Sequence, residues 1–404
     1  MKVLQINAVC GKGSTGRICC ELSDWLIANG HEGKILFGSG TSDYPYAKKI
    51  AGKTGIKIHG LLSRITGKQA AFSPFSTAKT IKVIKRFQPS IVHLHNLHGN
   101  YINVKKLLRY LAKNDIPTVI TLHDCWFFTG KCTYYSEVNC NKWQLGCGEC
   151  PQLKKSIPSW FFDRTKKMWR EKKGLFEAIP RLGVIGVSDW ITDEAKNSFL
   201  KNAKIVERIY NWIDLEVFYP RQEDVREKYG LPKDKFLVFC ISDRWSKTAF
   251  RFLSLLKLAE HLEEDIHIML AGGIEEGVAL PKNITNLGYI KSVDELARLY
   301  SQADVYVHHS REDTFGKVIA EAMACGTPAI VYNATACPEL IGEGCGHVVE
   351  VGDIDGIKQA IDKVKAIGKK HYSQSCVDFV KENFKKEKLL QETIKVYERL
   401  QKGD

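Results

Sequence analysis

The first half of the chain alternates short apolar runs with helical patterns. Val3 to Val9 is apolar and leads into Gly11-Lys12-Gly13-Ser14-Thr15-Gly16, after which apolar residues recur at helical spacing as far as Asn29-Gly30. Further strands are predicted at 34–37, 91–94, 118–122 and 183–187, and a helix at 104–112. Short runs rich in Val and Ile are typical of parallel strands that are covered on both faces. The order of strand, glycine loop, helix and strand predicts a parallel α/β domain.

The second half repeats this pattern. Strands are predicted at 236–241, 266–271, 283–287, 305–308, 329–331 and 346–351, with helices around 252–261, 292–301 and 317–324. We therefore predict an α/β fold of two Rossmann-like, doubly wound domains that face each other across a cleft, where ligands bind beyond the carboxyl ends of the strands. The predicted boundaries are an N-terminal domain at 1–208, a turn-rich linker at 209–220, a second domain at 221–375, and C-terminal helices at 376–404 that pack back towards the first domain.

Composition narrows the class of protein. The chain has 404 residues, of which 44% are hydrophobic and 26% charged, a balance typical of globular proteins. Its apolar runs are shorter than the roughly 18–20 residues of a membrane helix. The N-terminus lacks the apolar core and cleavage site of a signal peptide. We expect a cytoplasmic protein whose cysteines are mostly reduced thiols.

Charge is distributed unevenly. Residues 1–208 contain 33 basic and 15 acidic residues, whereas residues 209–404 contain 26 and 31. Around Lys154–Lys173, basic residues alternate with aromatic ones, and Thr77–Phe87 has a similar amphipathic pattern. This favours contact between the N-terminal domain and an anionic membrane surface. A second interpretation of the basic residues is binding to nucleic acid. However, no recognition motif accompanies the charge, so we expect no nucleic-acid partner. The third interpretation is that these basic residues only form solvent-exposed faces of helices.

The strongest motif runs from Ser310 to Pro328. Asp313 and Glu321 are eight residues apart, and a helix that begins near Gly316 places the first in the preceding loop and the second inside the helix. The free N–H groups of a helix start favour an anionic or hydroxyl-rich ligand. Glu321 lies in an apolar run, where a carboxylate needs hydroxyl or N–H partners such as those of a ribose. The alternative is a helix cap followed by a solvated glutamate.

This block, with Glu-Ala-Met-Ala-Cys-Gly-Thr-Pro at its end, resembles the Glu-x7-Glu signature of family 4 retaining glycosyltransferases of the GT-B fold, in particular the bacterial surface-polysaccharide type with a Cys-rich loop. The resemblance extends to Asn211-Trp212-Ile213-Asp214, to Thr121-Leu122-His123-Asp124 and to the N-terminal glycine loop. It implies metal-independent, retaining transfer of a sugar from a nucleotide diphosphate sugar to a glycan or lipid-linked acceptor. The setting it implies is capsule, exopolysaccharide or lipopolysaccharide synthesis at the cytoplasmic face of the inner membrane, with no cofactor for catalysis.

The resemblance also implies roles for individual residues. Asp313 and the backbone that follows contact the donor sugar, Glu321 binds the nucleotide ribose, and His123 lies against the transferred sugar. The upstream residues His93, His95 and His98 are interpreted as loop or packing residues. The donor-binding set is Gly13, Gly16, Gly272, Gly273, Tyr289, Ile290, Thr314, Phe315, Gly316, Lys317 and Glu321.

One segment departs from the family pattern. Related enzymes carry an Arg and a Lys after the first strand of the second domain, where they stabilise the leaving diphosphate, but Ala249-Phe250 occupies the usual Lys-Gly position. Arg244 and Lys247 are the nearest substitutes, and Arg251 is the third. Two alternative functions therefore stay open: a catalytically weakened GT-B scaffold protein, and another GT-B enzyme such as a sugar-nucleotide epimerase.

Four cysteines cluster in the predicted loop at 125–151. Their pattern, Cys132-x7-Cys140-x6-Cys147-x2-Cys150, is typical of a structural zinc site with a Cys-x2-Cys half. Unligated thiols, an iron–sulfur cluster and disulfides are the alternatives. A zinc ion here would fold the loop beside His123 and take no part in the chemistry.

Overall fold

The computed structural model describes residues 1–403 and divides into two compact units. Unit 1 comprises Met1–Ile209 together with the stretch from Leu390 onward, and unit 2 comprises Tyr210–Leu389. The chain therefore leaves unit 1 once, after Ile209, and returns to it within its last helix.

Unit 1 is built on a seven-stranded parallel sheet in the order β3-β2-β1-β4-β5-β6-β7. All residues of the central strands β4 and β5 are buried, as their apolar sequences predict. The strands are β1 Lys2–Asn7, β2 Glu32–Phe37, β3 Ala47–Lys49, β4 Ile91–Leu94, β5 Thr118–Leu122, β6 Leu182–Gly186 and β7 Ile205–Arg208. The helices are α1 Gly13–Ala28, α2 Lys53–Thr66, α3 Pro74–Phe87, α4 Val104–Lys113, α5 Thr165–Glu177 and α6 Asp189–Lys196.

Unit 2 contains a six-stranded parallel sheet in the order β10-β9-β8-β11-β12-β13. Its strands are β8 Phe236–Trp245, β9 Ile266–Ile274, β10 Ile284–Gly288, β11 Val305–His308, β12 Ala329–Tyr332 and β13 Gly346–Val349. Its helices are α7 Arg226–Tyr229, α8 Phe250–His261, α9 Val293–Gln302, α10 Lys317–Ala324, α11 Ile354–Ile367 and α12 Lys369–Asn383, followed by α13 Lys386–Lys402, which crosses into unit 1.

In each sheet the strand order reverses at one place, between β1 and β4 in unit 1 and between β8 and β11 in unit 2. The loops that follow such adjacent strands diverge, and the crevice between them is the usual ligand site of an open α/β sheet. In unit 1 this edge carries the glycine loop and the residues after Leu94. In unit 2 it carries the residues after Trp245 and the loop from His309 to Gly316.

The predicted elements agree with the structure where apolar runs are long, and differ at the sheet edges. The bounds of β5, β11 and α10 are as predicted. The predictions omitted β3 and β7, because Ala47–Lys49 and Ile205–Arg208 are short and partly polar edge strands. Helix α1 begins at Gly13, before the first apolar residue of its pattern, and β8 continues to Trp245 through a register shift.

The domain boundaries differ from the prediction in two places. The segment from Tyr210 to Pro220, predicted as linker, is part of unit 2: Ile213 is fully buried, and its N–H donates to the carbonyl of Phe384 at 2.9 Å. The predicted C-terminal segment 376–404 is divided, since residues as far as Leu389 belong to unit 2. Turn-rich sequence gives no measure of how deeply such a segment is buried.

Candidate functional site

In unit 2, the loop between β11 and α10 places Asp313 beside His308. His308 Nε2 donates to Asp313 Oδ2 at 2.8 Å, and the other ring nitrogen lies 2.9 Å from the hydroxyl of Tyr306. The backbone N–H of Asp313 donates to Thr335 Oγ1 at 3.0 Å, which fixes the loop. Burial raises the pKa of the Asp313 carboxyl, but the hydrogen bond and charge of His308, with help from Ser310 and Arg251, outweigh it and bring the pKa below its ordinary value. Asp313 is therefore a carboxylate at neutral pH.

Helix α10 carries the second acid of the motif. Its N-cap is Gly316, whose φ of 82° favours glycine, and a Cβ there would approach Ile319 Cδ1 to 2.7 Å. Glu321 is only 2% exposed. Asp313 lies in the loop between β11 and α10, and Glu321 lies inside α10. A carboxylate buried in this way requires polar partners.

The basic residues predicted near the leaving group occupy different surroundings. The backbone N–H of Lys247 donates to Glu275 Oε2 at 3.0 Å, and its Nζ lies 3.9 Å from the other carboxylate oxygen. Arg244 is exposed and lies opposite Gly273 in the β8–β9 ladder. Arg251 donates to Ser242 Oγ at 3.0 Å, and its charge acts on Asp313. The charge of Arg251, the third residue in the sequence-based order, thus helps to keep the pKa of Asp313 low.

The other predicted donor residues fall into packing and exposed positions. Gly272 has φ of 123°, and a Cβ would come within 1.8 Å of the Ser242 carbonyl, so the residue allows two strands to approach closely. Phe315 is buried against Tyr210 and Phe384, so its side chain is part of the core. Thr314 is buried as well, whereas Ile290 and Lys317 are partly buried and Tyr289 is exposed.

One group of metal-ligand type lies at this edge. The ligand atoms of His308, Asp313 and Cys337 all lie within 4.8 Å of one another. The hydrogen bond between His308 and Asp313 already gives both side chains a partner. The sequence assigns no functional role to His308 or Cys337, although His308 lies two residues before Ser310, where the motif begins.

In unit 1, a backbone hydrogen bond closes the glycine loop. The N–H of Gly11 donates to the carbonyl of Gly16 at 3.0 Å, and a Cβ on Gly16 would lie 3.2 Å from Gly11 N. Gly16 therefore packs α1 against the loop. Gly13, with φ of 63° and no atom within 4 Å of a built Cβ, faces open space. A cavity of about 420 Å³ lies beside the loop, with Lys12 and Arg17 in its lining.

His123 belongs to a hydrogen-bond chain that fixes its tautomer. Gln5 Nε2 donates to the carbonyl of Cys19 at 2.9 Å, so Gln5 Oε1 is the atom that faces His95 Nε2 at 3.1 Å and accepts its proton. In a neutral ring, His95 Nδ1 then accepts, and His123 Nε2 donates to it at 3.0 Å. The proton of His123 is thereby placed on Nε2, and its Nδ1 keeps the lone pair.

Burial keeps these imidazole rings neutral. Burial lowers the pKa of His123 to about 4, although the charge of Asp124 acts in the opposite direction. Burial also lowers the pKa of His93 to about 3. The sequence predicts loop or packing roles for His93 and His95. His93 lies in β4 and His95 directly follows that strand, and a spacing of two residues in extended chain places both side chains on the same face, which is a signal for a shared network.

The Cys-rich segment forms an irregular loop after β5. It contains short 3-10 turns at Cys125–Phe127, Ser136–Val138 and Lys142–Gln144. Trp143 is fully buried and packs against Phe128 and Tyr135. Of the four predicted ligands, Cys132 is buried, and Cys140, Cys147 and Cys150 are partly buried.

Two family models match the chain. The model described as Glycosyltransferase Family 4 matches residues 15–217, and the model of glycosyl transferases group 1 matches residues 221–376. WcaC of Escherichia coli (strain K12), whose name assigns it to colanic acid biosynthesis as a glycosyl transferase, is 25% identical over 372 residues, which are 88% of each chain. O-antigen chain mannosyltransferase B of Escherichia coli is 34% identical over 116 residues, 28% of this chain and 29% of that protein.

Solved structures share the fold at low sequence identity. Sucrose-phosphate synthase from Thermosynechococcus elongatus superposes with a TM-score of 0.74 at 17% identity and full coverage of both chains. HepE from Anabaena, solved with UDP and glucose, gives a TM-score of 0.65 at 15% identity over 98% of this chain and all of that one. WaaG, described as a glycosyltransferase of lipopolysaccharide biosynthesis, gives 0.64 at 13% identity, with 96% and 98% covered.

Within residues 1–403, no helix combines the length and the apolar character that crossing a bilayer requires.

The family match covers both units, the motif residues lie at the switch point of the second sheet, and the structural neighbours are GT-B enzymes. The chain belongs to glycosyltransferase family 4 and is a glycosyltransferase of the GT-B fold.

Proposed function

We propose that the chain transfers a sugar from a nucleotide diphosphate sugar to a glycan or lipid-linked acceptor, with retention of anomeric configuration, in the synthesis of a bacterial surface polysaccharide. The observation that carries the proposal is the position of the motif: Asp313 lies in the loop after β11, at the switch point of the second sheet, and Glu321 is buried in the helix that follows. The HepE structures with UDP or UDP-glucose support a nucleotide-sugar donor. The names of WcaC and O-antigen chain mannosyltransferase B support the polysaccharide setting.

In this proposal each acid has one task. Glu321 accepts hydrogen bonds from the ribose hydroxyls, since a buried carboxylate binds such donors strongly. Asp313, ionised and oriented by His308, accepts from hydroxyls of the donor sugar. His123, whose Nε2 donates to His95, contacts the transferred sugar.

The leaving diphosphate needs positive charge as the glycosidic bond breaks. Arg251 is the first choice for this task because its charge acts on Asp313, and Arg244 and Lys247 are the second. The leaving phosphate then assists deprotonation of the acceptor hydroxyl, which attacks from the same face of the sugar. Neither step uses a divalent cation in this proposal.

A lipid-linked acceptor would bring the protein to a membrane surface. Unit 1 offers an aromatic surface, which we define as Ile58 and Leu61 of α2 with Trp160, Phe161 and Phe162. These side chains are 44–68% exposed. The backbone N–H of Trp160 donates to the carbonyl of Arg64 at 2.7 Å, which places the segment that contains the three aromatic residues beside the end of α2. Basic residues beside exposed apolar ones favour an anionic bilayer.

The test is a transfer assay without added divalent cations. The protein is incubated with UDP-, GDP- and ADP-sugars and with lipid diphosphate-linked mono- and oligosaccharides. We expect acceptor-dependent release of one nucleoside diphosphate and, by NMR, a product with the anomeric configuration of the donor. An inverted product would contradict retention.

The same assay separates the alternative functions. Tight nucleotide binding without turnover for any donor and acceptor would favour a scaffold protein. Conversion of the donor without an acceptor would favour an epimerase. No binding of any of these nucleotides would contradict the whole proposal.

A further inference from the structure

We propose that a pocket in unit 1 binds the lipid part of the acceptor, as a single apolar chain that ends in a phosphate or diphosphate. The pocket, called the α4–α5 pocket below, has a volume of about 80 Å³ and lies between the start of α4, the first turns of α5 and residues 68–71. The inference rests on the proposed function, because it selects the lipid-linked acceptor from the two kinds that this function allows.

The wall of the pocket is largely apolar. It is lined by four buried side chains and one partly buried one, namely Ala70, Val104, Trp126, Met168 and Leu175. A hydrocarbon chain that displaces water from such a wall gains free energy in proportion to the area that it covers. An apolar cavity of about 150 Å³ accepts a benzene ring, so this smaller pocket admits only the first few carbon atoms of one chain.

The polar side chains in the lining already have partners within the protein. Gln69 Oε1 accepts from Trp126 Nε1 at 2.9 Å, and Gln69 Nε2 donates to a backbone carbonyl at 3.3 Å. Asn103 Oδ1 accepts from the N–H of Lys106 at 3.0 Å, and the amide nitrogen of Asn103 donates to the carbonyl of Ala71. Because both amides are engaged in this way, the interior favours an apolar occupant over a sugar or a nucleobase.

The mouth of the pocket is positively charged. Lys68, Arg164 and Lys167 line it and are exposed, and in the part of the chain that the structure describes none of them pairs with a carboxylate. Lys105 also lines the pocket, but its Nζ lies 3.4 Å from Glu171 Oε1, so this pair adds no net charge. Three uncompensated cations therefore surround the opening of an apolar cavity.

A phosphate attached to an apolar chain matches both parts of this pocket. Lysine and arginine bind phosphate oxygens through charge-assisted hydrogen bonds, while the first carbon atoms of the chain cover the apolar wall. Lys172 is not part of this set of cations, because its Nζ already donates to the carbonyls of Trp126 and Thr129. The recognition of phosphate thus depends on the exposed side chains at the mouth.

The pocket lies at the same end of the sheet as His123. Asp124 accepts from the N–H of Trp126 at 2.8 Å and from His98 Nε2 at 2.8 Å, and the rings of Trp126 and His98 are 5.8 Å apart. One wall of the pocket is therefore fixed to the segment that carries His123. A lipid bound here would hold its sugar at the end of the sheet where the transferred sugar is expected.

The mouth of the pocket also adjoins the aromatic surface defined above. The guanidinium group of Arg164 lies 5.4 Å from the centre of the Phe162 ring. Gly67, which precedes Lys68, packs so closely that a Cβ there would lie 2.3 Å from the carbonyl oxygen of Phe162. The part of a long chain that the pocket cannot hold would follow this surface into the bilayer.

Binding of a soluble lipid diphosphate tests the pocket without any transfer reaction. Farnesyl diphosphate, inorganic pyrophosphate and dihexanoyl phosphatidylglycerol are each titrated into the full chain by calorimetry, below any micelle concentration. We expect farnesyl diphosphate to bind more tightly than either of the others, by about tenfold or more. Equal affinity for pyrophosphate would overturn the part of the apolar wall, and tighter binding of the phospholipid would overturn the choice of a single chain.

Charge substitutions locate the phosphate. The double variant Lys68→Gln, Lys167→Gln should weaken binding of farnesyl diphosphate about a hundredfold, from about tenfold for each lost contact with a charged group. The control Lys106→Gln, Lys166→Gln removes the same charge from exposed positions of α4 and α5 outside the pocket, and it should bind as the wild type does. Equal losses in the two variants would overturn recognition at the mouth.

A filled pocket tests the position of the chain. Ala71 lines the pocket and is partly buried, so Ala71→Phe places a ring in the cavity. Its affinity for farnesyl diphosphate should fall to that for pyrophosphate, while pyrophosphate binding stays unchanged. Undiminished affinity for farnesyl diphosphate in a folded Ala71→Phe protein would overturn the pocket as the site. If circular dichroism shows that this variant does not fold, the lysine variants decide.

A last variant separates this inference from the proposed function. Arg251→Ala alters the proposed donor site in unit 2 and should leave binding of farnesyl diphosphate unchanged, whereas a large loss would place the lipid diphosphate in the donor site and overturn the inference. Lipid binding without transfer would support the pocket and contradict the proposed function. Transfer to a soluble glycan without lipid binding would overturn the pocket alone.

Discussion

Asp313 stands where the Glu-x7-Glu signature has its first glutamate, and its neighbours explain how the shorter side chain is used. His308 donates to it at 2.8 Å and Tyr306 supports the imidazole on its other side. The carboxylate is therefore fixed in position and ionised, with the positive charge of Arg251 acting on it. This arrangement concentrates one negative and one positive group where a donor would bring a sugar and a diphosphate.

Arg251 is expected to matter more for turnover than the two basic residues nearest the family position. Arg251→Ala removes positive charge from the neighbourhood of Asp313, so we expect kcat for transfer to fall about a hundredfold or more. Arg244→Ala and Lys247→Ala should have smaller effects, because the charges of both residues act on the Glu275 carboxylate. Steady-state kinetics with the donor found in the transfer assay give the measurement.

The matched control is Lys257→Ala, an exposed basic residue on the same helix. It should leave kcat unchanged. If Lys257→Ala and Arg251→Ala reduced kcat equally, net charge and not position would explain the loss. If Arg251→Ala were silent while the Arg244→Ala, Lys247→Ala double variant lost activity, the sequence-based ranking would be correct.

Gln5 is expected to set the tautomer of His123 through His95, although it touches no substrate. Gln5→Leu removes the acceptor for His95 Nε2–H, so His95 can place its proton on Nδ1 and no longer accept from His123. We expect kcat to fall about tenfold, a typical lower value for loss of a positioning interaction near a metal or catalytic group. Imidazole ¹⁵N chemical shifts should show the Nε2–H tautomer of His123 in the wild type and a mixture in Gln5→Leu.

The control for this substitution is Gln5→Glu, which keeps an acceptor towards His95. It should retain the Nε2–H tautomer and most of the turnover at neutral pH. An unchanged tautomer in Gln5→Leu would contradict the hydrogen-bond chain. A changed tautomer with unchanged kcat would contradict the role of His123.

The sequence could predict which residues carry the motif but not which neighbours orient them. Asp313, Glu321 and His123 stand in recognisable segments. His308, His95 and Arg251 act through side-chain directions that depend on how β4, β5, β8 and β11 lie beside one another. Phe315 shows the converse: it lies within the motif, yet its side chain belongs to the core.

At the scale of elements, the ends of β4 and β5 enclose three histidines that cannot easily accept a proton. His93 bonds to Tyr397 of α13 at 2.6 Å and to Thr121 of β5 at 2.7 Å, and His95 stacks near His123. Burial lowers the pKa of His93 to about 3, of His95 well below its ordinary value and of His123 to about 4.

Unit 1 should therefore lose stability as the pH falls from about 6.5 to about 4. In this window the unfolded chain binds protons at these histidines and the folded chain does not, so protonation favours unfolding, by about 1.4 kcal/mol per pH unit for each histidine. The stabilisation is complete above the unfolded pKa and disappears on acidification. Hydrogen exchange of the β4 and β5 amides between pH 5 and 7, corrected for intrinsic rates, measures it.

His93→Gln removes one of the three groups, and the pH dependence of the exchange free energy should become shallower by about one proton. His261→Gln, at an exposed position in unit 2, should leave the slope as in the wild type. A pH-independent exchange free energy in the wild type would contradict the neutral, buried state of the cluster.

The elements that sequence reasoning missed are those whose order comes from tertiary contacts. Ala47–Lys49 forms β3 because Ile35 to Phe37 offers a free parallel edge, and nothing in its own composition predicts a strand. Ile213 is buried in what reads as a turn-rich linker. Strands with apolar residues on both faces, such as β5, were predictable because their environment is visible in their own sequence.

At the scale of the whole molecule, the charge difference follows the division into units. The excess of basic residues belongs to residues 1–208, which are nearly all of unit 1, and the acidic excess to residues 209–404, which are mostly unit 2. Within unit 1, α2 contributes Lys57, Arg64 and no acidic residue beside the aromatic surface. Charge and exposed apolar side chains thus coincide on one part of one unit, which favours an interface with anionic lipid over general solvation.

Binding to vesicles tests this surface. We expect the protein to bind vesicles that contain phosphatidylglycerol and not those of phosphatidylcholine alone, and to bind less as salt screens the charges. The variant Lys57→Gln, Arg64→Gln removes about 2 kcal/mol of attraction and should weaken partitioning about thirtyfold. The double variant Trp160→Ser, Phe161→Ser should weaken vesicle binding through lost apolar insertion, without changing the salt dependence.

The control Lys257→Gln, Lys363→Gln removes the same charge from unit 2 and should bind as the wild type does. Equal losses in the two charge variants would mean that net charge alone governs binding, and the aromatic surface would then have no specific part in it.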